Sequence, residues 1–393
     1  SSGCLRLALR LSVCAAPSAC DTGARPRVRA AVARPFWALA SLALALAERT
    51  NPSARAPAPN PVTRLLWPNW RLPPAWRGRL RVERKIGEGA SCRVYRCHLR
   101  EDDEERIVAM KVMKADNLGF SDYMFRQEYK ILSRLHGPSF IGLFDTGQTI
   151  TPRGLVTSFL MELADTNLSE LIKLRAAHDE SVSDELVIKL MVDILRGLAE
   201  MEAQSLAHND VTPQNILVLG DCGSGECAAR LSDFGLADSA ESRHLMHAHM
   251  EAVCCNLYLS PEAATGRRIR GDSKSDVWSA GMVFRELLTG RLPEMWESRS
   301  SAEAWERHPD RSHDALRMHV DTWVEDADLR QLLLRMLASE PWDRATARQA
   351  LRAAQRLAKL RRVYEETGTS PFGPDLIEEL GELSTELPAG SLV

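Results

Sequence analysis

His208-Asn209-Asp210-Val211-Thr212-Pro213-Gln214-Asn215, followed 18 residues after Asn215 by Asp233-Phe234-Gly235, is the stretch that decides how this chain reads. It sets two carboxylates and an amide, Asp210, Asp233 and Asn215, at either end of an apolar interlude. Within that interlude, residues 216–219 and 228–233 read as paired strands, and Gly223-Ser224-Gly225-Glu226 reads as the turn between them. Upstream, residues 80–87, 92–99 and 107–113 read as strands, 121–135 as a helix, and 155–163 as containing another strand. From Ser183 the pattern turns mostly helical, with Leu186, Leu190, Ile194, Leu195 and Leu198 on one face. Strands followed by helices imply an α+β chain of two lobes with a cleft between them.

Two further segments precede the deciding stretch. Gly87-Glu88-Gly89-Ala90-Ser91-Cys92-Arg93-Val94 lies between two expected strands, and its glycines let backbone N–H groups approach an anion because no Cβ intervenes. Many hairpins hold two glycines without binding anything, so this segment alone decides little. Val108-Ala109-Met110-Lys111 places a lysine among apolar strand residues, where an unpaired ammonium is costly to bury. Glu128, in the helical segment 17 residues on, can supply a carboxylate. A lysine whose stem packs while its head reaches water would look the same.

The His208 to Asn215 segment and Asp233-Phe234-Gly235 resemble the catalytic loop and metal-binding motif of the eukaryotic protein kinases. The resemblance extends to Ser260-Pro261-Glu262, to Asp276-Val277-Trp278-Ser279-Ala280-Gly281 at the start of a central helix, and to Arg344, which in relatives pairs with the glutamate here numbered Glu262. It implies a bilobal protein-kinase fold: a small antiparallel-sheet lobe with one main helix, then a larger helical lobe. It also implies transfer of the γ-phosphate of Mg-ATP to serine or threonine hydroxyls of a protein substrate, with no nucleic-acid partner. Asp210 would be the base, Lys111 and Glu128 would complete the catalytic set, and Asn215 and Asp233 would hold the metal. Gly87, Glu88, Gly89, Val94, Ala109, Lys111, Met161, Glu162, Ala164 and Leu217 would line the nucleotide site. Met161 falls at the gatekeeper position of Phe159-Leu160-Met161-Glu162-Leu163-Ala164.

The chain also departs from the family pattern. Asn209 stands for the arginine of the His-Arg-Asp motif, Thr212 for a lysine that meets the γ-phosphate, and Cys92 for the third glycine. Cys255 stands where many relatives have threonine. None of these changes removes the base or a metal ligand, but they keep open a pseudokinase that acts as a nucleotide-binding scaffold. A small-molecule kinase would be favoured by loss of Ser-Pro-Glu and Arg344, and both are present. A narrower resemblance, to the rhoptry kinases of apicomplexan parasites, rests on the N-terminal arm, the tryptophan segment and the irregular catalytic loop.

The apolar and charged shares, 45% and 26%, are those of an ordinary globular protein. Residues 1–79 hold 12 Arg, no Lys and 2 acidic residues, which leaves −13 on residues 80–393 from the total of −3. Such an arm can meet a membrane surface or another acidic partner, or can reflect base composition alone. The nine cysteines show no zinc spacing and are too few for a disulfide scaffold. Cys222 and Cys227 flank the hairpin turn, where a disulfide and two reduced thiols are both reasonable. The chain starts at Ser1 with its first methionine at Met110, so it reads as processed, truncated or partial. Residues 36–47 are apolar for too short a run to span a bilayer and read as a signal-like segment or a short packed helix. Location follows from that choice, secretory or cytoplasmic. The expected organisation is an Arg/Ala/Pro-rich extension (1–63), a Trp/Pro-rich segment packing on the first lobe (64–78), the lobes (79–163 and 164–358), and a C-terminal extension (359–393).

Overall fold

The computed structural model describes residues 71–89, 91–101, 104–114, 118–177, 182–239, 257–265, 273–290 and 309–367. The expectations for residues 1–63, Trp67, Trp70, Cys254, Cys255 and residues 368–393 lie outside them. The first lobe is built from β1 (Leu80–Glu88), β2 (Cys92–Glu101), β3 (Glu104–Met113), helix α1 (Leu118–Leu132), β4 (Leu143–Thr151) and β5 (Gly154–Met161). Its five strands run in the order β1-β2-β3-β5-β4, each antiparallel to its neighbour. Helix α1 carries Phe125 against Phe159 of β5, ring centroids 4.8 Å apart. It begins and ends three residues earlier than its pattern suggests: residues 133 and 134 form a turn, the Leu135 N–H still donates to the Ile131 carbonyl, and Gly137 (φ 131°) follows.

Strand β4 was not visible in the sequence, and its burial explains why. Its buried residues are Gly147 and Thr149, whereas Phe144 and Ile150 face outward, so the hydrophobic alternation is inverted. The segment before β1 covers it. Trp76 is fully buried and donates from Nε1 to Asp145 Oδ2 at 2.8 Å, and Thr149 Oγ1 donates to the Arg71 carbonyl at 2.9 Å. A Cβ on Gly147 would stand 2.6 Å from Pro73, so only glycine admits that approach.

The second lobe continues with β6 (Thr166–Asn167), α2 (Leu168–Ala177), α3 (Asp184–Ala203), β7 (Leu206–Ala207), β8 (Ile216–Asp221), β9 (Glu226–Leu231), β10 (Asp238–Ser239) and α4 (Pro261–Ala264). Four longer helices follow it: α5 (Ser273–Thr289), α6 (Pro309–Trp323), α7 (Ala327–Met336) and α8 (Ala347–Thr367). Ser183 caps α3 by accepting the Leu186 N–H, and the expected Leu186, Leu190, Ile194, Leu195 and Leu198 face is buried. Gly197 lets α3 approach β9, since a Cβ there would meet Leu231 at 2.8 Å. Helix α8 runs past the expected boundary at 358 to Thr367, and Arg361 in that last part is ion-paired with Asp326. Cys222 and Cys227 form a disulfide across the β8–β9 turn, Cα atoms 4.8 Å apart, while Cys92 and Cys97 are free and buried. No helix among the described residues is long and apolar enough to cross a membrane.

Candidate active site

Lys111 sits on β3 with its side chain 9% exposed, opposite Val94 of β2 and Phe159 of β5. Its Nζ donates to both oxygens of Glu128 on α1, at 2.7 and 2.6 Å, and to Asp233 Oδ1 at 3.2 Å. Burial by itself would lower the lysine pKa, but the Asp233 and Glu128 carboxylates outweigh it and hold the ammonium well above its usual range. Burial pushes the Glu128 carboxyl upward against the pull of Lys111. The Asp233 carboxyl, which burial would also raise, is held low by Lys111. The three charges therefore depend on one another, and strand, helix and loop are tied together at one ammonium.

The loop beneath is held by its backbone. Asp276, at the start of α5, accepts the N–H groups of His208 and Asn209 at 2.6 and 2.8 Å. His208 is buried against Phe234, ring centroids 4.9 Å apart, with Nε2 at 3.1 Å from the Ser232 carbonyl. Asn209 takes a left-handed conformation (φ 69°) and its Nδ2 donates to the Leu236 carbonyl at 2.7 Å. Asn215 Nδ2 donates to Asp210 Oδ2 at 2.8 Å and to the Asp210 carbonyl at 2.9 Å. Asp210 is thereby oriented by its neighbour, and Asn215, having committed its NH₂, has its amide oxygen to offer a cation. Asp233 is also left-handed (φ 62°) and its side chain is 37% exposed. One amide oxygen and one carboxylate suit magnesium, which takes few protein ligands beside phosphate and water. No set of three or more His, Cys, Asp or Glu side chains among the described residues could hold a metal.

Around this centre, Ala109 pairs with Met161 across β3 and β5, both nearly buried. Gly87 lies opposite Val94, and Leu217 of β8 is half-buried opposite Arg230. Ala164 is half-buried just before β6. The side chain of Glu162 is engaged elsewhere: it is ion-paired with Arg230 of β9 and accepts the Gly142 N–H at 3.3 Å, while the Glu162 N–H donates to the Gly142 carbonyl at 2.8 Å. The Glu88 carboxylate also turns aside, bound by Lys85, Arg93 and Lys114. Sequence reasoning missed Asp276 as the holder of the loop and Arg230 as the partner of Glu162, because neither pairing is local. In the second lobe, Arg344 grips Glu262 bidentately at 2.7 and 3.0 Å.

The family described as "Protein kinase domain" matches residues 80–354. A serine/threonine-protein kinase PknB of Mycolicibacterium smegmatis is 29% identical over 278 residues, which is 70% of this chain and 41% of that protein. A serine/threonine-protein kinase pkn3 of Myxococcus xanthus is 28% identical over 279 residues, 70% of this chain and 48% of its own length. The tyrosine protein-kinase src-1 of Caenorhabditis elegans is 28% identical over 226 residues, 57% and 39% of the two chains. The chain thus spans less than half the length of these relatives. With the Lys111, Asp210 and Asp233 constellation carried on a five-stranded sheet and a helical lobe, this chain belongs to the protein kinase domain family.

Proposed function

We propose that the chain is an active ATP-dependent protein kinase that phosphorylates serine or threonine. The observation that carries this reading is the buried Lys111 ammonium bonded at once to Glu128 and Asp233. Phosphoryl transfer asks little covalent work of a protein and much electrostatic positioning, and such a cation is what nucleotide phosphates need. The likeness to serine/threonine-protein kinases supports the acceptor class.

In this reading Lys111 meets the phosphates and Glu128 fixes the ammonium. Gly87, Gly89 and Val94 cover the nucleotide, while Ala109, Met161, Ala164, Leu217 and the backbone at Glu162 enclose its base. Asn215 and Asp233 would hold magnesium, which when bound supplies positive charge that neutralises the phosphates. Asp210, kept in place by Asn215, accepts the proton of the acceptor hydroxyl as its oxygen bonds to the γ-phosphorus and ADP departs. The test is incubation with γ-labelled ATP and generic acceptor proteins, followed by phosphoamino-acid analysis. Label in phosphoserine or phosphothreonine is expected. Label confined to phosphotyrosine would overturn the acceptor assignment, and nucleotide binding without transfer would indicate the scaffold alternative.

A further inference from the structure

The glycine-rich turn between β1 and β2 is tied down by a residue outside it. Lys114, the residue after β3, donates its backbone N–H to the Ser91 carbonyl at 2.8 Å and its Nζ to the Gly89 carbonyl at 2.7 Å. The same Nζ lies 2.8 Å from Glu88 Oε1. Lys85 of β1 and Arg93 of β2 reach that carboxylate too, at 2.7 and 3.3 Å. Gly89 N–H donates to the Cys92 carbonyl at 3.0 Å, closing the turn. Bonds to Lys114 and Lys85, against the opposing effect of burial, hold the Glu88 carboxyl down at about 2, so it is ionised near neutral pH.

Glycine backbone has the most freedom to lose when a ligand orders it, and ordering during binding subtracts from affinity. Here both arms of the turn are already fastened to the end of the strand that carries Lys111, three residues before Lys114. We infer that Lys114 is a positioning residue for the phosphate-binding turn: it holds Gly89 and Glu88 in register with Lys111 before nucleotide arrives. This inference rests on the nucleotide reading of the site given above. It makes Lys114 important for the phosphates and unimportant for the base.

The rival role for Lys114 is plain attraction between its charge and the phosphates, and Glu88 separates the two. A clamp is weakened when Glu88→Gln removes one of its anchors, whereas a lysine acting by charge is freed to attract phosphate more strongly. The experiment is calorimetric titration of the full chain with Mg-ADP and with adenosine, for wild type, Lys114→Met, Lys114→Arg and Glu88→Gln. Lys114→Met is expected to weaken Mg-ADP about tenfold, or ~1.4 kcal/mol, with adenosine within about twofold of wild type. Lys114→Arg should keep most of the affinity, and Glu88→Gln should lose about threefold. Unchanged Mg-ADP binding by Lys114→Met, an equal loss for adenosine, or tighter binding by Glu88→Gln would overturn the clamp. A wild type that binds neither ligand would overturn the nucleotide reading and the clamp with it.

Discussion

Replacing Arg344 with methionine should destabilise the second lobe by about 3 kcal/mol or more, because breaking a buried ion pair from one side strands the other charge. The guanidinium side chain is fully buried and makes five hydrogen bonds. Two go to Glu262, at 2.7 and 3.0 Å, and three to the carbonyls of Lys274 (3.0 Å), Ala338 (2.9 Å) and Ser339 (3.1 Å). Methionine fills much of the volume but donates nothing, so three carbonyls lose a donor and Glu262, with its side chain 12% exposed, loses its cation. Ser275 Oγ still donates to Glu262 at 2.8 Å, which keeps the loss toward the lower end of the usual ~3–5 kcal/mol. Urea unfolding followed by tryptophan fluorescence would read it directly, since Trp278 lies 5.1 Å beneath the guanidinium. A shift in Tm of about 6–12 °C should accompany it. The pH dependence has a definite sign. Burial would raise the Glu262 carboxyl, but Arg344 outweighs it and holds the pKa below the ordinary 4.5. The stabilisation from the pair is therefore present above 4.5 and lost as pH falls below it, so the gap between wild type and Arg344→Met should narrow there. A variant within about 1 kcal/mol of wild type at neutral pH would refute the argument.

Lys111→Met and Asp233→Asn should each lower turnover by about 10³-fold while the fold survives, because in the proposed reaction each removes a transition-state contact; a tenth or more of wild-type turnover in Asp233→Asn would dismiss the metal assignment. Activity should not require phosphorylation of the segment after Asp233: Asn209 offers no charge to a phosphate, and its neutral amide already holds the Leu236 carbonyl at 2.7 Å. Phosphatase treatment that leaves Ser239 and Ser242 unmodified should change turnover less than about tenfold, and a larger fall restored by rephosphorylation would sink the idea. Cys222 and Cys227 should resist alkylation until reductant is added, as read by mass spectrometry of protein from its native source; two thiols alkylated without reductant would show the bond absent there.

Strongly patterned parts of the molecule were legible in the sequence. Helix α3 shows its buried leucines at helical spacing, and the strands around Lys111 show short apolar runs, because each buries an apolar face of its own. Strand β4 was hidden because its core side is glycine and threonine, kept dry by Trp76 and Pro73 from another segment. In the candidate site the motif residues and the Lys111–Glu128 and Arg344–Glu262 pairs could be named, yet the contacts that hold the loop could not. That Asp276 would hold two backbone N–H groups 68 and 67 positions away, or that Arg230 would take the side chain of Glu162, is decided by tertiary approach rather than by spacing. The clamp at Lys114 stayed unseen for a related reason. A lysine just past a strand reads as solvated until the turn it holds is folded over it.

In the proposed reaction Asp210, set by Asn215, takes the proton of an acceptor hydroxyl while Lys111, fixed by its carboxylates, holds the nucleotide. Its most direct test is label transfer from γ-labelled Mg-ATP to a generic acceptor protein, with wild type beside Asp210→Asn, both first shown to melt together and to bind Mg-ADP equally. Transfer by wild type and a loss of about 10²-fold or more in the variant are expected, with nucleotide affinity unchanged. Equal transfer by the two proteins, or none by a wild type that binds Mg-ADP, would contradict it.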